Sequence, residues 1–281
     1  MKTINLIVPR GWHELDDKQL RYVFGLLADD YTSAEIRTLC LVRFARLGGT
    51  SPKPKKSSFW SRFAPKVRWS GLQVIYRHNS DFVFRLGKDD FKLSATVVAD
   101  IIQDLKWLDE IPSFPVRISR IGKFTALPSD LQSVPFEKFI YCDNLYQGYL
   151  HTKNDSLIDE MMKVLYPGWN SKGLPLERIA TFYWFASLKQ YFAKTFNHFF
   201  QQTDSTDGNL LGSAKSIGEQ VTEAMNAQIR ALTKGDITKE KEVLAMDCWR
   251  ALTELNAQAK EYEEFNQKYG KEFQLECRRF L

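Results

Sequence analysis

The sequence predicts a mainly helical protein with a small antiparallel β element, an α+β fold that ends in an antiparallel helical hairpin. Three observations predict it. Apolar residues recur at helical spacing over most of the chain, two short stretches alternate instead, and the C-terminal part holds two helical patterns separated by a turn. At 281 residues, 44% hydrophobic and 14% aromatic, the chain can bury a sizeable core.

The N-terminal region is predicted to form two short helices over residues 14–47. The second helix begins at Thr32, where Thr32 and Glu35 form a capping box that satisfies the first free amide groups. Gly48 and the glycine after it are predicted to end this helix. Residues 1–47 are therefore predicted to be an N-terminal helical hairpin.

The next segment, residues 48–66, is rich in proline, lysine and serine. Prolines and like charges resist compact packing, so this segment is predicted to be a basic loop or tether. It is followed by residues 67–201, which are predicted to form a mixed and then helical core.

A small antiparallel ribbon is predicted at the start of that core. Residues 73–76 and 81–86 alternate in polarity, with residues 116–121 as a candidate third strand. Between them, residues 93–108 have the spacing of a helix. The neighbouring Asp89–Asp90 pair is predicted to lie at the start of this helix, where carboxylates meet the helix dipole favourably.

The rest of the chain is predicted to be helical almost throughout. In the final helix, apolar residues at strict three- and four-residue spacing form a seam that can pack against one partner helix. The simplest partner is the preceding helix, which makes residues 216–281 a C-terminal helical hairpin. The predicted helices are 136–150, 155–165, 175–201, 216–232 and 238–268, and the seam is Ala245, Cys248, Leu252, Leu255, Ala259 and Tyr262.

Motifs for the common chemistries are absent from the sequence. It has neither a P-loop nor a dinucleotide fingerprint, its four histidines are far apart, and its four cysteines have no C-x-x-C spacing. The cysteines are expected to be reduced and mostly buried. The aromatic run at residues 182–185 is expected to pack in the core, with an apolar ligand cavity as the alternative. No catalytic, cofactor-binding or metal-binding residue is therefore assigned, and no cofactor is expected.

The charge of the chain is concentrated in one place. Residues 36–80, the basic window, hold ten basic residues and no acidic one, which leaves 29 basic against 34 acidic residues elsewhere. The window also contains aromatic residues, so it can neutralise phosphates and stack on bases, or it can bind a protein partner or act as a plain tether. The candidate contact residues are Arg46, Lys53, Lys55, Lys56, Trp60, Arg62, Lys66 and Arg68.

Two short stretches resemble a known class of proteins. Residues 11–20 (GWHELDDKQL) and 248–256 (CWRALTELN) resemble parts of uncharacterised structural and tail-assembly proteins of tailed phages and prophages. The resemblance covers about 20 residues. It implies a protein that binds other proteins during particle assembly, and it carries over no catalytic residue.

The sequence therefore predicts a non-enzymatic assembly or structural interaction protein with protein partners. A nucleic-acid-binding accessory protein that uses the basic window is the alternative, and an enzyme with a site assembled from distant residues is the third hypothesis. A second copy of the chain stays open as a partner. No secretion signal or membrane-spanning stretch is recognised, so the expected location is the cytoplasm or a virus-like particle.

Overall fold

The computed structural model describes residues 6–29, 31–47, 73–78, 81–86, 89–200 and 226–279. These residues are mainly helical with small antiparallel sheets, which confirms the predicted α+β class. Contacts divide the chain into two compact units, Met1–Ile111 (unit 1) and Pro112–Leu281 (unit 2). The division of the chain into four segments, which the sequence predicts, stays a prediction. Among the described helices, none is both long and apolar enough to cross a membrane.

Unit 1 begins with two helices, α1 (Asp17–Ala28) and α2 (Ser33–Phe44), which pack on each other. The predicted capping box at Thr32 is confirmed, since its hydroxyl accepts from the Glu35 amide and the Glu35 carboxylate accepts from the Thr32 amide. The predicted end of α2 at Gly48 is wrong. The helix stops at Phe44 because the chain then becomes strand β2 (Arg46–Leu47), which pairs antiparallel with β1 (Leu6–Ile7).

The larger sheet of unit 1 has three antiparallel strands, β3 (Gln73–His78), β4 (Asp81–Leu86) and β5 (Asp89–Ser94), with β4 in the middle. The prediction for the third strand is wrong. It is β5, because all six of its residues pair antiparallel with β4. In unit 2, β6 (Arg120–Ile121) pairs instead with β7 (Phe124–Thr125).

The helix that follows β5 is shorter than predicted. Helix α3 spans Ala95–Asp104 and starts at Ser94, whose hydroxyl accepts from the Val97 amide, and a 3-10 turn at Lys106–Asp109 follows it. The prediction that Asp89 and Asp90 meet the dipole of this helix is therefore wrong. Both lie in β5, where Asp90 faces Arg85 across the strands and binds its Nε at 2.7 Å.

Unit 2 is built on three helices, α4 (Phe136–Thr152), α5 (Asp155–Leu165) and α6 (Pro175–Thr195). Helix α6 ends six residues earlier than predicted. The expectation that the 182–185 run belongs to the core is confirmed for Trp184 and Phe185, which are buried. The ring of Phe185 stacks on that of Phe139 from α4, with ring centroids 6.0 Å apart.

The C-terminal part has a break that the sequence does not predict. Residues 226–233 are helical, and after a 3-10 turn come α7 (Glu240–Ala245) and α8 (Cys248–Arg279). The prediction of one continuous helix from residue 238 onward is wrong, because this part of the chain is interrupted. It is interrupted because the Met246 carbonyl accepts from the Phe136 amide and the Cys248 amide donates to the Val134 carbonyl, each at 2.8 Å.

The seam of the final helix is confirmed in its middle and wrong at its ends. Cys248, Leu252, Leu255 and Ala259 are buried, whereas Ala245 and Tyr262 are exposed. Helix α8 packs on α4, and its Trp249 ring lies against the aromatic rings at the end of α6. Residues 216–225 of the predicted hairpin lie outside the described residues.

Candidate functional site

The predicted contact residues of the basic window fall almost entirely outside the described part of the chain. Arg46 lies in β2, where its backbone pairs with Ile7. The others, Lys53, Lys55, Lys56, Trp60, Arg62, Lys66 and Arg68, belong to residues 48–72, which are not described. The arrangement of these residues therefore lies outside the described part of the chain, and the predicted contact surface stays a prediction.

Of the arginines in the window, Arg37 and Arg43 have described side chains, and both make contacts within unit 1. The Nη2 atom of Arg37 lies 3.3 Å from the Asp109 carboxylate, and its Nε donates to the Ser33 carbonyl. The guanidinium of Arg43 lies over the ring of Tyr22, 5.5 Å from the centroid. Arg37 is thus paired within the fold, whereas Arg43 stays exposed beside Tyr22.

The described cysteines are free thiols buried in the two units. Burial raises the pKa of Cys40 to about 12 and also raises the pKa of Cys142 and Cys248. Because the nucleophilic and metal-binding form of cysteine is the thiolate, these three thiols are unreactive near neutral pH. The expectation of reduced, buried cysteines is confirmed for them. Cys277 has a side chain outside the described part.

The described residues offer few candidates for a metal site. In them, no group of three or more His, Cys, Asp or Glu side chains is placed to hold a metal ion. The two described histidines with nearby acids, His13 and His198, each lie beside one glutamate, Glu14 or Glu263. Each of these pairs supplies too few ligands for the three- or four-ligand zinc sites of proteins.

A tightly bonded ion cluster joins α5 to the start of α6 in unit 2. Arg178 donates from Nε and Nη2 to the two oxygens of Asp159, at 2.9 and 2.8 Å, and from Nη1 to Asp155 at 3.0 Å. The Gly173 amide also donates to Asp159. Burial alone would raise the pKa of Asp159, but the hydrogen bonds and charge of Arg178 outweigh it and hold that pKa below its ordinary value.

A second arginine of unit 2, Arg117, is half-buried and lacks such partners. The Nε and Nη1 atoms of Arg117 are enclosed, and within the described residues no acceptor lies in hydrogen-bonding range of them. Its guanidinium carbon lies 5.7 Å from the centroid of the Trp184 ring. Arg117 was not predicted from the sequence, because an arginine between Val116 and Ile118 is typical of a strand whose polar side chain faces water.

A shallow cavity of about 320 Å³ lies beside the helical residues 226–233. Its walls include apolar, basic and acidic side chains, among them Ile229, Arg230 and Glu240. The wall residue Ile237 is 83% exposed, so the cavity opens widely to solvent. It encloses too little surface to bury a small molecule as binding pockets do.

Comparison with known proteins gives no match, whether to a family model, to a curated protein or to a solved structure. The functional interpretation therefore rests on the residues of this chain. Two features remain to be explained: the basic window, and the half-buried Arg117 with two enclosed nitrogens.

Proposed function

We propose that this chain is a non-enzymatic binding protein that contacts an acidic protein partner through its basic window during the assembly of a larger particle. The observation that carries the proposal is the absence of any acidic residue among the ten basic ones of residues 36–80. Such a surface attracts a complementary acidic one and repels basic partners. The assembly role is the one that the resemblance to phage structural proteins implies.

The described residues support a binding role in two ways. The three described thiols are buried and protonated, so they are poor candidates for a nucleophile. Arg37 and Arg43 are held in contacts with Asp109 and Tyr22, so the contact is assigned to the window residues that follow them. These are Arg46, Lys53, Lys55, Lys56, Trp60, Arg62, Lys66 and Arg68.

The alternative function, binding of single-stranded nucleic acid, is favoured by one observation. Phe59, Trp60, Phe63 and Trp69 are interleaved with the basic residues of the window. Aromatic side chains stack on unpaired bases while lysines and arginines neutralise phosphates. Contact with about 4 to 6 phosphates would give a slope of about −3 to −5 in a plot of log affinity against log salt concentration.

The two functions are separated by direct binding measurements on the full chain. Fluorescent poly-glutamate and single- and double-stranded DNA and RNA are titrated with the protein at low salt. The test variant carries Lys53→Glu, Lys55→Glu and Lys56→Glu. A matched control carries the same change at three exposed lysines elsewhere, Lys106→Glu, Lys194→Glu and Lys241→Glu.

The proposal predicts that poly-glutamate binds, that the window variant loses this binding and that the control variant keeps it. Tighter binding of a nucleic acid, lost in the window variant alone, would replace the proposal with the alternative. If no probe binds at low salt, or if both variants lose binding equally, neither function is assigned to the window.

A further inference from the structure

Helix α8 is longer than the part of it that packs against the rest of unit 2. Its buried side chains lie between Cys248 and Ala259. Residues 260–279 continue the helix for about 30 Å, at about 1.5 Å per residue. Among residues 260–266 and Lys268, whose side chains the structure describes, none is buried. The helix therefore continues beyond the core of unit 2, and residues 260–279 are named the α8 extension.

The α8 extension keeps an apolar stripe although the buried seam ends before it. Tyr262 follows Ala259 at the three-residue spacing found in the seam, and Phe265 follows Tyr262 at the same spacing. Side chains three residues apart are neighbours on a helix surface. Tyr262 is 61% exposed and Phe265 is 59% exposed. In the sequence, Tyr269 and Phe273 follow at four-residue spacing. Neighbouring exposed aromatic side chains of this kind are typical of protein interfaces.

A helix of this length and composition is only weakly stable by itself. Half of the residues of the α8 extension are charged, and Gly270 lowers its helix propensity further. The Nζ atom of Lys260 lies 3.8 Å from the Glu264 carboxylate one turn away, but an exposed pair of this kind contributes little. Most helices in proteins are stabilised by packing of their apolar face. The extension therefore needs a partner surface for its aromatic stripe.

The order of charges along the α8 extension indicates which partner fits. Residues 260–264 hold one lysine and three glutamates, whereas residues 276–279 hold one glutamate and two arginines. Two extensions side by side in parallel would bring like charges together. An antiparallel pair places the acidic start of each extension beside the basic end of the other, which is the favourable arrangement. Gly270 lies midway between Glu261 and Arg279, so the two backbones can approach closely at the centre of such a pair.

We propose that two copies of this chain associate through their α8 extensions in an antiparallel pair, with Tyr262 and Phe265 of each copy packed in the interface. The same surface is used on both copies, as in the two-fold interfaces of most homodimers. The aromatic stripe supplies the apolar contact, and the opposite charges at the two ends set the direction of the helices.

The association of two copies does not depend on the function proposed for the basic window. It has one consequence that does rest on that function. A pair of copies carries two windows, so a partner with repeated acidic sites would bind the pair more tightly than it binds a single copy.

The test is sedimentation velocity of the full-length chain across micromolar concentrations. We expect the mass to rise with concentration from that of one 32.6 kDa chain to twice that value. A variant with Tyr262→Ser and Phe265→Ser is expected to weaken the association by at least about tenfold, because it removes both aromatic rings from the interface. A matched control with Tyr31→Ser and Tyr141→Ser changes two exposed tyrosines elsewhere and is expected to associate as the wild type does.

Charge reversal tests the antiparallel direction. A variant with Glu261→Lys and Glu264→Lys, and a second with Arg278→Glu and Arg279→Glu, are each expected to associate more weakly than the wild type. The variant that carries all four changes is expected to regain the association, because opposite charges meet again. Its recovery would also show that the reversed segments still fold.

The proposal is overturned if the wild type stays monomeric at every concentration, if the Tyr262→Ser, Phe265→Ser variant associates as tightly as the wild type, or if the tyrosine control loses the association equally. It is also overturned if the variant with all four charge reversals does not regain the association. The Lys53→Glu, Lys55→Glu, Lys56→Glu variant is expected to associate normally. Loss of association in that variant would assign the contact to the basic window and would contradict the proposal.

Discussion

Arg178 and Arg117 belong to the same unit, yet their surroundings differ. Arg178, at the start of α6, uses all three guanidinium nitrogens on two aspartates. Arg117, in the segment before β6, has two enclosed nitrogens with no acceptor in the described part of unit 2. The role of an arginine therefore depends on the hydrogen-bond acceptors around its guanidinium, and its charge alone does not indicate that role.

The largest effect is expected from removing the satisfied arginine. Arg178→Met leaves the Asp159 carboxylate, which is only 10% exposed, without a cation and should cost about 3 kcal/mol of unfolding free energy. Urea denaturation followed by circular dichroism measures it. Arg250→Met is the control and should change stability by less than about 0.5 kcal/mol. Equal losses in the two variants would show that the cluster contributes nothing.

A smaller, pH-dependent effect is expected at the acid of the same cluster. Asp159→Asn should cost about 2 kcal/mol at pH 7. Because the folded pKa of Asp159 is lowered, its contribution is complete above the ordinary aspartate pKa of about 4 and is lost as the pH falls through the folded value. The stability gap between variant and wild type should therefore shrink below about pH 4.

Denaturation curves between pH 7 and pH 3 measure this gap. Asp100→Asn, at an exposed position of α3, is the control and should show little difference from the wild type at any pH. A gap for Asp159→Asn that stays constant or widens toward pH 3 would contradict the lowered pKa.

The forked geometry of Arg178 can be tested separately from its charge. Arg178→Lys keeps the cation, but an ammonium group cannot bind both oxygens of Asp159 and also reach Asp155. We expect a loss of about 1.5 kcal/mol in the same urea experiment, between the wild type and Arg178→Met. A lysine variant as stable as the wild type would mean that charge alone holds the cluster.

The smallest effect on stability is expected at Arg117. Arg117→Met removes no hydrogen bond to a described acceptor, so only the contact with Trp184 is lost, and the change should stay within about 1 kcal/mol. Urea denaturation measures it. A loss as large as that of Arg178→Met would mean that Arg117 is a structural residue and would remove the contrast between the two.

Local signals in the sequence predicted local structure well. The capping box at Thr32 and the buried middle of the α8 seam depend on residues within one or two turns of each other, and both are found. The break at Met246–Asp247 was not predictable in this way. It depends on backbone hydrogen bonds to Val134 and Phe136, more than a hundred residues earlier.

The same distinction applies to the functional residues. The basic window is visible in the composition, because it is defined by charges that are adjacent in sequence. Arg117 is not, because its contact with Trp184 and the lack of an acceptor at its Nε and Nη1 atoms depend on the fold around it. No pattern within residues 112–121 marks this arginine as different from an ordinary solvent-facing one.

The central claim, that the chain acts by binding an acidic partner through the basic window, is tested most directly by one measurement. It is the affinity for fluorescent poly-glutamate across a salt series, compared between the wild type and the Lys53→Glu, Lys55→Glu, Lys56→Glu variant. We predict that affinity falls as salt rises in the wild type and that the variant binds weakly at every salt concentration. Equal affinities and equal salt dependence in the two proteins would contradict the claim.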